Sequence, residues 1–337
     1  MKKLLSILLI LSLVFALAAC GGAAEQGEQG DQGDPGETAL DWPKKTITII
    51  CPYSAGGGSD LMSRAVGERL SEILGVSVIV EDMPGGSGGV GMANLAIAKP
   101  DGYTLILTAM GATSLTPLMS DVGYGYEEFA PICQVSETPT VITVNASSGI
   151  TTWEELLAMA KADPKAVTYG SSGTGGAHHV AVASLLLEVE NNADLFTHIA
   201  YEGGAAAVTA LLGNHITATA SIPSEPYPYI ESGDFNCLLT LATERFSALP
   251  DVPCTADLGL KTIGGTWYGF AAPAGTDEAI LDFLEETILD IMAEPEMVET
   301  FENLACPVVL LGREDFTNKW IDNYNSIGST LKAIGMM

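Results

Sequence analysis

The residues that decide the fold are TITIICPYSAGGGSD, at positions 46–60. The β-branched run Thr46–Cys51 predicts a buried strand, which the following proline ends because proline donates no backbone hydrogen bond. Three glycines come next, and Ser59 or Asp60 is a suitable N-cap for a helical pattern over Leu61–Leu74. The stretch therefore predicts a strand, a glycine-rich loop and a helix in immediate succession.

The same succession recurs at three further places along the chain. The glycine-rich loops there are 84–89, 171–176 and 202–204, each between a strand pattern and a helical pattern. Strands that alternate with helices imply a mainly parallel sheet with helices on its faces, so the expected fold class is α/β. Ligands of such folds bind at the C-terminal ends of the strands, where these loops collect. We therefore expect a cleft whose backbone N–H groups hold an anion or another polar ligand.

The other segments also have regular patterns. Thr152 and Glu155 have the spacing of a capping box at the start of a helix. Strands are expected at 141–144 and 267–272, and the last part of the chain, 278–334, is expected to be mainly helical. These segments extend the same α/β pattern to the C-terminus.

The first twenty residues have the order of parts of a signal peptide. Lys2 and Lys3 precede an apolar run, Leu4–Leu17, which is shorter than the ~20 residues that a membrane-spanning helix needs. The Leu-Ala-Ala-Cys that follows resembles the lipobox of bacterial lipoproteins, in which the cysteine becomes the lipidated N-terminus. We expect export and a lipid anchor on Cys20, with a plain secretory signal as the alternative.

Charge and composition exclude some partners. Residues 21–40 are almost free of apolar side chains and are expected to be a flexible tether, so the folded part begins near residue 41. The formal net charge of −28 argues against nucleic acid, because a basic surface is needed to neutralise phosphates. An anionic ligand stays compatible with this charge, since helix N-termini bind anions through backbone N–H groups.

Other kinds of site find little support in the sequence. The five cysteines besides Cys20 have no CxxC spacing, so a zinc site is not expected, and their pairing is left open. No complete dinucleotide fingerprint, P-loop or G-x-S-x-G elbow occurs. His178 follows a loop rich in serine, so an exported hydrolase stays the less favoured alternative. We expect no cofactor, no metal and no catalytic residue.

Five strings carry a resemblance to a known family. They are WPKKTITII (42–50), VEDMPGGSGGVG (80–91), PDGYTL (100–105), YGSSGTG (169–175) and RFSALPDVP (245–253). Together they resemble the tripartite tricarboxylate transporter substrate-binding (Bug) family, from about residue 42 to the C-terminus.

The resemblance implies a two-lobed, Venus-flytrap fold of the periplasmic-binding-protein type II. The first lobe would comprise residues 41–143 plus 265–337, and the second lobe residues 144–264. Each lobe would be a mainly parallel sheet flanked by helices. A carboxylate of the ligand would be held between the lobes by backbone N–H groups and ordered waters.

The family's ligand contacts, carried over residue by residue, come from both lobes. Those of the first lobe are Tyr53, Ser54, Ala55, Gly56, Gly57, Ser59, Gly85, Gly86, Ser87, Gly88, Gly89, Thr108 and Ala109. Those of the second lobe are Ser171, Ser172, Gly173, Thr174, His178, Tyr201, Gly204 and Ser221. The chain departs from the family at Glu202, where lysine is usual, and at Thr217 and Ser221, where acids are common. These departures change the charge expected on the second-lobe wall.

The expected function is the capture of a small mono-, di- or tricarboxylate and its delivery to the membrane subunits of a tripartite tricarboxylate-type transporter. A ligand-sensing partner of a membrane receptor would need the same cleft, and the sequence does not separate these two functions. A monomer is expected. The identity of the carboxylate does not follow from the residues.

Overall fold

The computed structural model describes residues 40–337. The expected signal peptide, Cys20 and the tether up to residue 39 lie outside the described residues. Within the described range, none of the helices is both long enough and apolar enough to cross a membrane.

Ten strands and ten α-helices follow one another along residues 40–337. The strands are β1 (Ile47–Cys51), β2 (Val78–Asp82), β3 (Thr104–Ala109), β4 (Phe129–Asn145), β5 (Thr168–Ser171), β6 (Thr197–Ala200), β7 (Ala218–Ser221), β8 (Phe235–Leu241), β9 (Gly265–Pro273) and β10 (Val308–Leu311). The helices are α1 (Gly58–Leu74), α2 (Gly89–Ala96), α3 (Thr116–Met119), α4 (Trp153–Ala162), α5 (Ala177–Glu190), α6 (Gly204–Leu212), α7 (Tyr227–Glu231), α8 (Glu278–Ala293), α9 (Pro295–Asn303) and α10 (Arg313–Ala333).

The strands form one connected sheet with two parallel parts. In the first part, β1 lies between β2 and β3 and is parallel to both. In the second part, β5 lies between β6 and β7 and is parallel to both. The antiparallel strand β9 follows β3, and β4 connects β9 to β7. We call the part built on β1, β2, β3 and β9 the first lobe and the part built on β5, β6 and β7 the second lobe. The expected α/β class is confirmed, with antiparallel strands added where the parts meet.

Strand β4 runs from one lobe into the other. Its residues 129–139 pair with β9, and residues 140–145 pair with β7 and β8. Only the end of this strand was expected from the sequence, because Pro131 and Pro139 lie in its first part and proline argues against a strand. The ladder to β9 accommodates Pro131 through a register shift directly after it. The exact lobe boundaries stay predictions.

Each lobe has its own hydrophobic core. In the first lobe, Leu70 of α1, Phe270 of β9 and Leu284 of α8 are fully buried in one cluster. In the second lobe, Trp153 of α4 and Leu185 of α5 belong to a separate cluster. The five cysteines within residues 40–337 are unpaired, so no disulfide links these described parts. Apolar burial therefore stabilises each lobe. A further apolar cluster packs Leu115, which follows β3, against Ala177 of α5 and Leu331 of α10, so the surface between the lobes is partly apolar.

Helix boundaries follow local sequence signals. At the start of α4, the Glu155 N–H donates to Thr152 Oγ1 at 3.2 Å and the Thr152 N–H donates to Glu155 Oε2 at 3.2 Å, which confirms the expected capping box. Helix α1 begins at Gly58, three residues earlier than its apolar pattern indicated. The short elements α3, α7 and β10 had no periodic pattern long enough to predict them.

One strand position leaves no room for a side chain. A Cβ atom on Gly269 in β9 would lie 2.7 Å from the Cys133 carbonyl oxygen and would overlap with the ring of Phe316. We expect Gly269→Ala to lower the free energy of unfolding by about 1–3 kcal/mol, as overpacking does. The matched change Gly328→Ala lies within α10, where no atom lies near the added methyl group. It should raise the free energy of unfolding by about 1 kcal/mol. Urea denaturation of both variants tests this, and equal effects would contradict it.

Candidate functional site

The helices that follow the glycine-rich loops begin without a side-chain cap. None of the N-termini of α1, α2, α5 and α6 receives a side-chain hydrogen bond at its cap, whereas Thr152 caps α4 and Asp277 caps α8. The four uncapped N-cap residues are Gly57, Gly88, Gly176 and Gly203. The first N–H groups of a helix have no partner within it and form the positive end of its dipole. In α2 the N–H groups of Gly89 and Val90 donate to the Gly86 and Gly85 carbonyls, so the starts of α1, α5 and α6 are the ones available to an anion.

Some backbone N–H groups of the glycine-rich loops already donate hydrogen bonds within the protein. They are therefore not free to bind a ligand, in contrast to the expectation from the sequence. The Gly56 N–H donates to Asp60 Oδ2 at 2.8 Å, and the Gly88 N–H donates to the Gly85 carbonyl at 3.1 Å. These bonds fix the shape of the loops. The donors left for a ligand are those of the first turns of α1, α5 and α6, where the first N–H groups have no partner within the helix.

Two adjoining cavities lie between the lobes where these helices begin. The inner cavity has about 20 Å³, room for about one water molecule, and the outer cavity has about 660 Å³, the size of a ligand pocket. Ser87, in the turn before α2, lines both. The predicted contact residues on the inner cavity are Tyr53, Ser59, Ser87, Ala109, Ser172, His178 and Gly204. Those on the outer cavity are Ser54, Gly85, Gly86, Ser87, Gly173, Thr174 and Tyr201.

The other predicted contact residues line neither cavity. Ala55 and Gly56 are exposed at the tip of their loop. Thr108, Ser171 and Ser221 are buried, with hydroxyl groups hydrogen-bonded inside the protein. The full set comprises Ala55, Gly56, Gly57, Gly88, Gly89, Thr108, Ser171 and Ser221. Their direct contact with a ligand stays a prediction.

The two lobes touch each other directly around the inner cavity. Ser87 Oγ of the first lobe donates to the Thr174 carbonyl of the second lobe at 2.9 Å. A Cβ atom on Gly173 would overlap with the Ser87 side chain, and one on Gly58 would overlap with Ser224. Glycine is therefore required at these positions for the loops to approach this closely.

An ion pair between the buried Asp60 and the exposed Arg64 holds the first glycine loop. Asp60 is 3% exposed, and its Oδ2 accepts the hydrogen bond from Gly56. Its Oδ1 lies 2.6 Å from Arg64 Nε, and Arg64 Nη2 lies 3.1 Å from Asp82 Oδ2. Desolvation, with a contribution from the nearby Asp60 charge, raises the pKa of Asp82. The Asp60 side chain thus connects the loop to the body of α1.

A pair of stacked imidazoles holds the glycine loop of the second lobe. The rings of His179 and His198 lie 3.7 Å apart at an angle of 11°. The Gly175 N–H donates to His179 Nδ1 at 2.9 Å, and His198 Nε2 lies 2.8 Å from Ser171 Oγ. Burial lowers the pKa of His179 to about 4 and that of His198 to about 3, so both rings are neutral at pH 7 and stack without repulsion. Both ends of the loop are therefore fixed from behind.

The cavity walls are polar but carry no cation. Among the residues of the described chain that line the two cavities, none is lysine or arginine. His178 lines the inner cavity with its Nδ1 2.9 Å from Thr140 Oγ1, and burial lowers its pKa to about 4. The imidazole is therefore neutral at pH 7. An anion in this cleft would be held by neutral N–H and O–H donors.

Six inner-wall residues were missed by sequence reasoning: Gly111, Gly176, Ala177, Glu225, Thr266 and Tyr268. Thr266 and Tyr268 come from β9, and Glu225 comes from the segment after β7. The strand pattern at 267–272 predicted β9 but not the face that meets the cleft. Nothing in the sequence around Glu225 indicated a site. Three positions depart from the family's usual residues: Glu202, Thr217 and Ser221. Of these, only Glu202 lines the outer cavity.

Residues 62–336 match the family described as the tripartite tricarboxylate transporter family receptor. The chain belongs to this family. It is 32% identical over 260 residues to a UPF0065 protein of Cupriavidus necator, which covers 77% of this chain and 78% of that protein. The resemblance drawn from the five sequence strings is thereby confirmed.

Solved structures confirm the fold of the receptor family for this chain. The periplasmic binding protein BugD has a TM-score of 0.82 at 26% identity, over 88% of this chain and 99% of BugD. A Rhodopseudomonas palustris protein solved with adipate has a TM-score of 0.82 at 23% identity, over 88% of this chain and 99% of that one. The two-lobed fold of periplasmic binding proteins is therefore shared.

Gly173 and Ser87 are in contact where the two lobes meet, so a side chain on Gly173 would clash unless the lobes move apart. We expect Gly173→Ala to keep the lobes apart, and thus to increase the radius of gyration measured by small-angle X-ray scattering. Gly149 has φ +75°, where alanine is strained by about 1–2 kcal/mol, and Gly173 has φ +125°, outside the left-handed α region, where the strain is larger. Nothing lies near an added methyl group on Gly149, so Gly149→Ala should leave the radius of gyration unchanged. An unchanged radius in both variants would show that this contact does not limit closure.

Proposed function

We propose that the protein is a receptor that captures a small organic acid between its lobes, without chemical change, and delivers it to the membrane subunits of a tripartite transporter. The observation that carries this proposal is the set of uncapped helix starts at the cleft. First-turn residues of α1, α5 and α6 line the inner cavity: Ser59, Ala177, His178 and Gly204. The turn that precedes α2 lines both cavities.

A carboxylate is the ligand group that suits such a site. It accepts several hydrogen bonds at once, and helix N-termini stabilise it by their dipoles without a paired cation. Hydroxyl groups of Tyr53, Ser59, Ser172 and Tyr268 lie on the same wall and supply further donors. The family's description as tricarboxylate transporter receptors supports the same ligand class.

Ligand capture requires the lobes to move. A small organic acid does not fit a cavity of about 20 Å³, so its entry requires the lobes to separate. The ligand then favours the closed state over the open one, because it contacts both lobes only when they are closed. It shifts this equilibrium by the difference between its affinities for the two states. Strand β4 and the chain entering β9 are adjacent where they cross between the lobes, with the Thr140 N–H donating to the Gly264 carbonyl at 2.8 Å. This pair of crossings is the natural hinge.

A panel of ligands tests the proposed class. We expect isothermal titration calorimetry with acetate, malate, adipate and citrate to show 1:1 binding of at least one acid. The same acid should stabilise the protein thermally by about 2.7 kcal/mol when present at a hundred times its dissociation constant. Putrescine and maltose serve as a cationic and a neutral control. Binding of a control compound with no response to any acid would contradict the proposal.

We also propose that Cys20 anchors the receptor to the cell membrane through a lipid. When the full-length gene is expressed in a bacterium, we expect the protein in the membrane fraction, with release by detergent and not by salt, because acyl chains bind by hydrophobic burial. Cys20→Ala should move the protein to the soluble exported fraction. Cys237→Ala, a change of a cysteine within the folded part, should leave it on the membrane. A soluble protein with an unmodified N-terminus at Cys20 would contradict the anchor.

A further inference from the structure

Helix α5 has apolar side chains on two sides. One side faces the core of its own lobe, where Val182 and Leu186 are buried. The other side belongs to a different cluster, which also contains residues of the first lobe. Its members on α5, three or four residues apart along the helix, are Ala177, Val180, Ala183 and Leu187. A helix that is apolar on two sides is packed between two partners, and the second partner of α5 is the first lobe.

The first lobe meets this side of α5 with two segments. Leu115, in the turn after β3, is fully buried in the shared cluster, and so is Leu331 of α10. Ile334, just beyond the end of α10, is 8% exposed there. We call these three residues, together with the side of α5 that they meet, the apolar latch. Because each lobe has its own core, the surface buried in the latch stabilises the contact between the lobes.

Helix α10 is fixed to the first lobe by its first half. Phe316 and Trp320 are fully buried in an apolar cluster with Trp267 of β9. The Trp267 Nε1–H also donates a hydrogen bond to Asn323 Oδ1 at 2.7 Å. The end of α10 therefore belongs to a helix that moves with the first lobe.

The last residues of the chain are folded back onto the latch. The Met336 N–H donates to the Leu331 carbonyl at 2.9 Å, and the Gly335 N–H donates to the Lys332 carbonyl at 3.2 Å. Gly335 has φ +75°, so these two bonds form a Schellman motif, which ends a helix with a left-handed glycine. Met336 and Leu331 lie in the same apolar cluster, as is usual for this motif. The end of the chain is thus an ordered part of the latch.

Helix α5 also connects the latch to the cavity and to the crossings between the lobes. Ala177 and His178, in its first turn, line the inner cavity. His178 Nδ1 lies 2.9 Å from Thr140 Oγ1 of β4, and a Cβ atom on Gly264 would lie 2.5 Å from Ala181 Cβ. The helix therefore packs against both crossing segments. The lobes cannot separate unless α5 moves relative to the first lobe, and this movement disturbs the latch.

We propose that the apolar latch holds the closed receptor shut and sets the rate at which a bound acid is released, with Leu331 and Ile334 as positioning residues. This inference rests on the proposed function, because it concerns the release of a captured ligand. Neither residue lines a cavity, so both act on the ligand through the position of the lobes. Opening exposes apolar surface of the latch to water, which costs free energy in proportion to the area exposed.

The latch acts on release more than on capture. A ligand enclosed between the lobes leaves only after they open, so the release rate follows the free energy of opening. A weaker latch lowers that free energy and does not hinder entry, because the ligand enters the open state. Substitutions in the latch should therefore change the dissociation rate and leave the association rate unchanged or higher.

Release of a labelled acid tests the proposal. The purified protein is loaded with radiolabelled acetate, malate, adipate or citrate, whichever binds in the calorimetric panel, and chased with an excess of the same unlabelled acid. We expect Leu331→Ala to release the label at least tenfold faster, without slower association. Leu331→Met keeps the side-chain volume and should restore most of the slow release. Ile334→Ala should act in the same direction as Leu331→Ala, and it serves in its place if that variant does not fold.

The control is Leu284→Ala, which removes an equally buried leucine from the core of the first lobe. General damage of this kind lowers the number of binding sites per chain, but the folded molecules should release the acid at the unmodified rate. A release rate unchanged in both Leu331→Ala and Ile334→Ala, or raised equally by Leu284→Ala, would overturn this inference while leaving a carboxylate receptor.

The ligand-free protein separates the latch from the proposed function. If none of the four acids binds, the proposed function fails, and small-angle X-ray scattering still tests the latch. Leu331→Ala should then increase the radius of gyration, because the lobes separate more easily, and Leu284→Ala should not. Equal radii in the unmodified protein and in Leu331→Ala would overturn the latch as well.

Discussion

Helices α1, α2, α5 and α6, which follow the glycine-rich loops, each have a glycine N-cap with no side-chain hydrogen bond, and the arrangement of the cleft depends on this. A serine or aspartate cap would satisfy the first N–H groups but would also occupy the space in front of them. Glycine gives up only a few tenths of a kcal/mol relative to such a cap and leaves the N–H groups open. The stability of each lobe comes instead from its own apolar core, so the helix starts are free to serve a ligand.

Open helix starts need loops of fixed shape, because a mobile loop would lose conformational entropy on binding. The two lobes solve this differently. In the first lobe, the buried Asp60 accepts from the Gly56 N–H and pairs with Arg64. In the second lobe, neutral His179 and His198 stack and bind the glycine loop from behind. Both supports lie outside the cavities, so they order the loops without adding a charge to the wall.

The sequence predicted the parts of the fold that depend on local patterns. Strand–loop–helix units, the Thr152–Glu155 capping box and helices α8 and α9 all follow from spacing and periodicity, and the family strings predicted the lobed fold. The first half of β4 was not predictable, because Pro131 argues against a strand unless a neighbour's register shift is known. The inner wall was only half predictable for a similar reason. Glycine-rich loops can be recognised in the sequence, whereas Glu225 and Tyr268 reach the cavity only through the packing of distant segments.

The helix starts explain how a negative net charge is compatible with the proposed carboxylate ligand. An acidic protein can hold an anion only if the field at the site is set by groups closer than the surface charges, which ionic strength screens within about 8–10 Å. Helix starts act at contact distance, and so does the half-buried carboxyl group of Glu225. A positive helix end and a negative side chain in one cavity create a strong local gradient rather than a uniform potential. Such a gradient discriminates between ligands by the arrangement of their charges more than by their total.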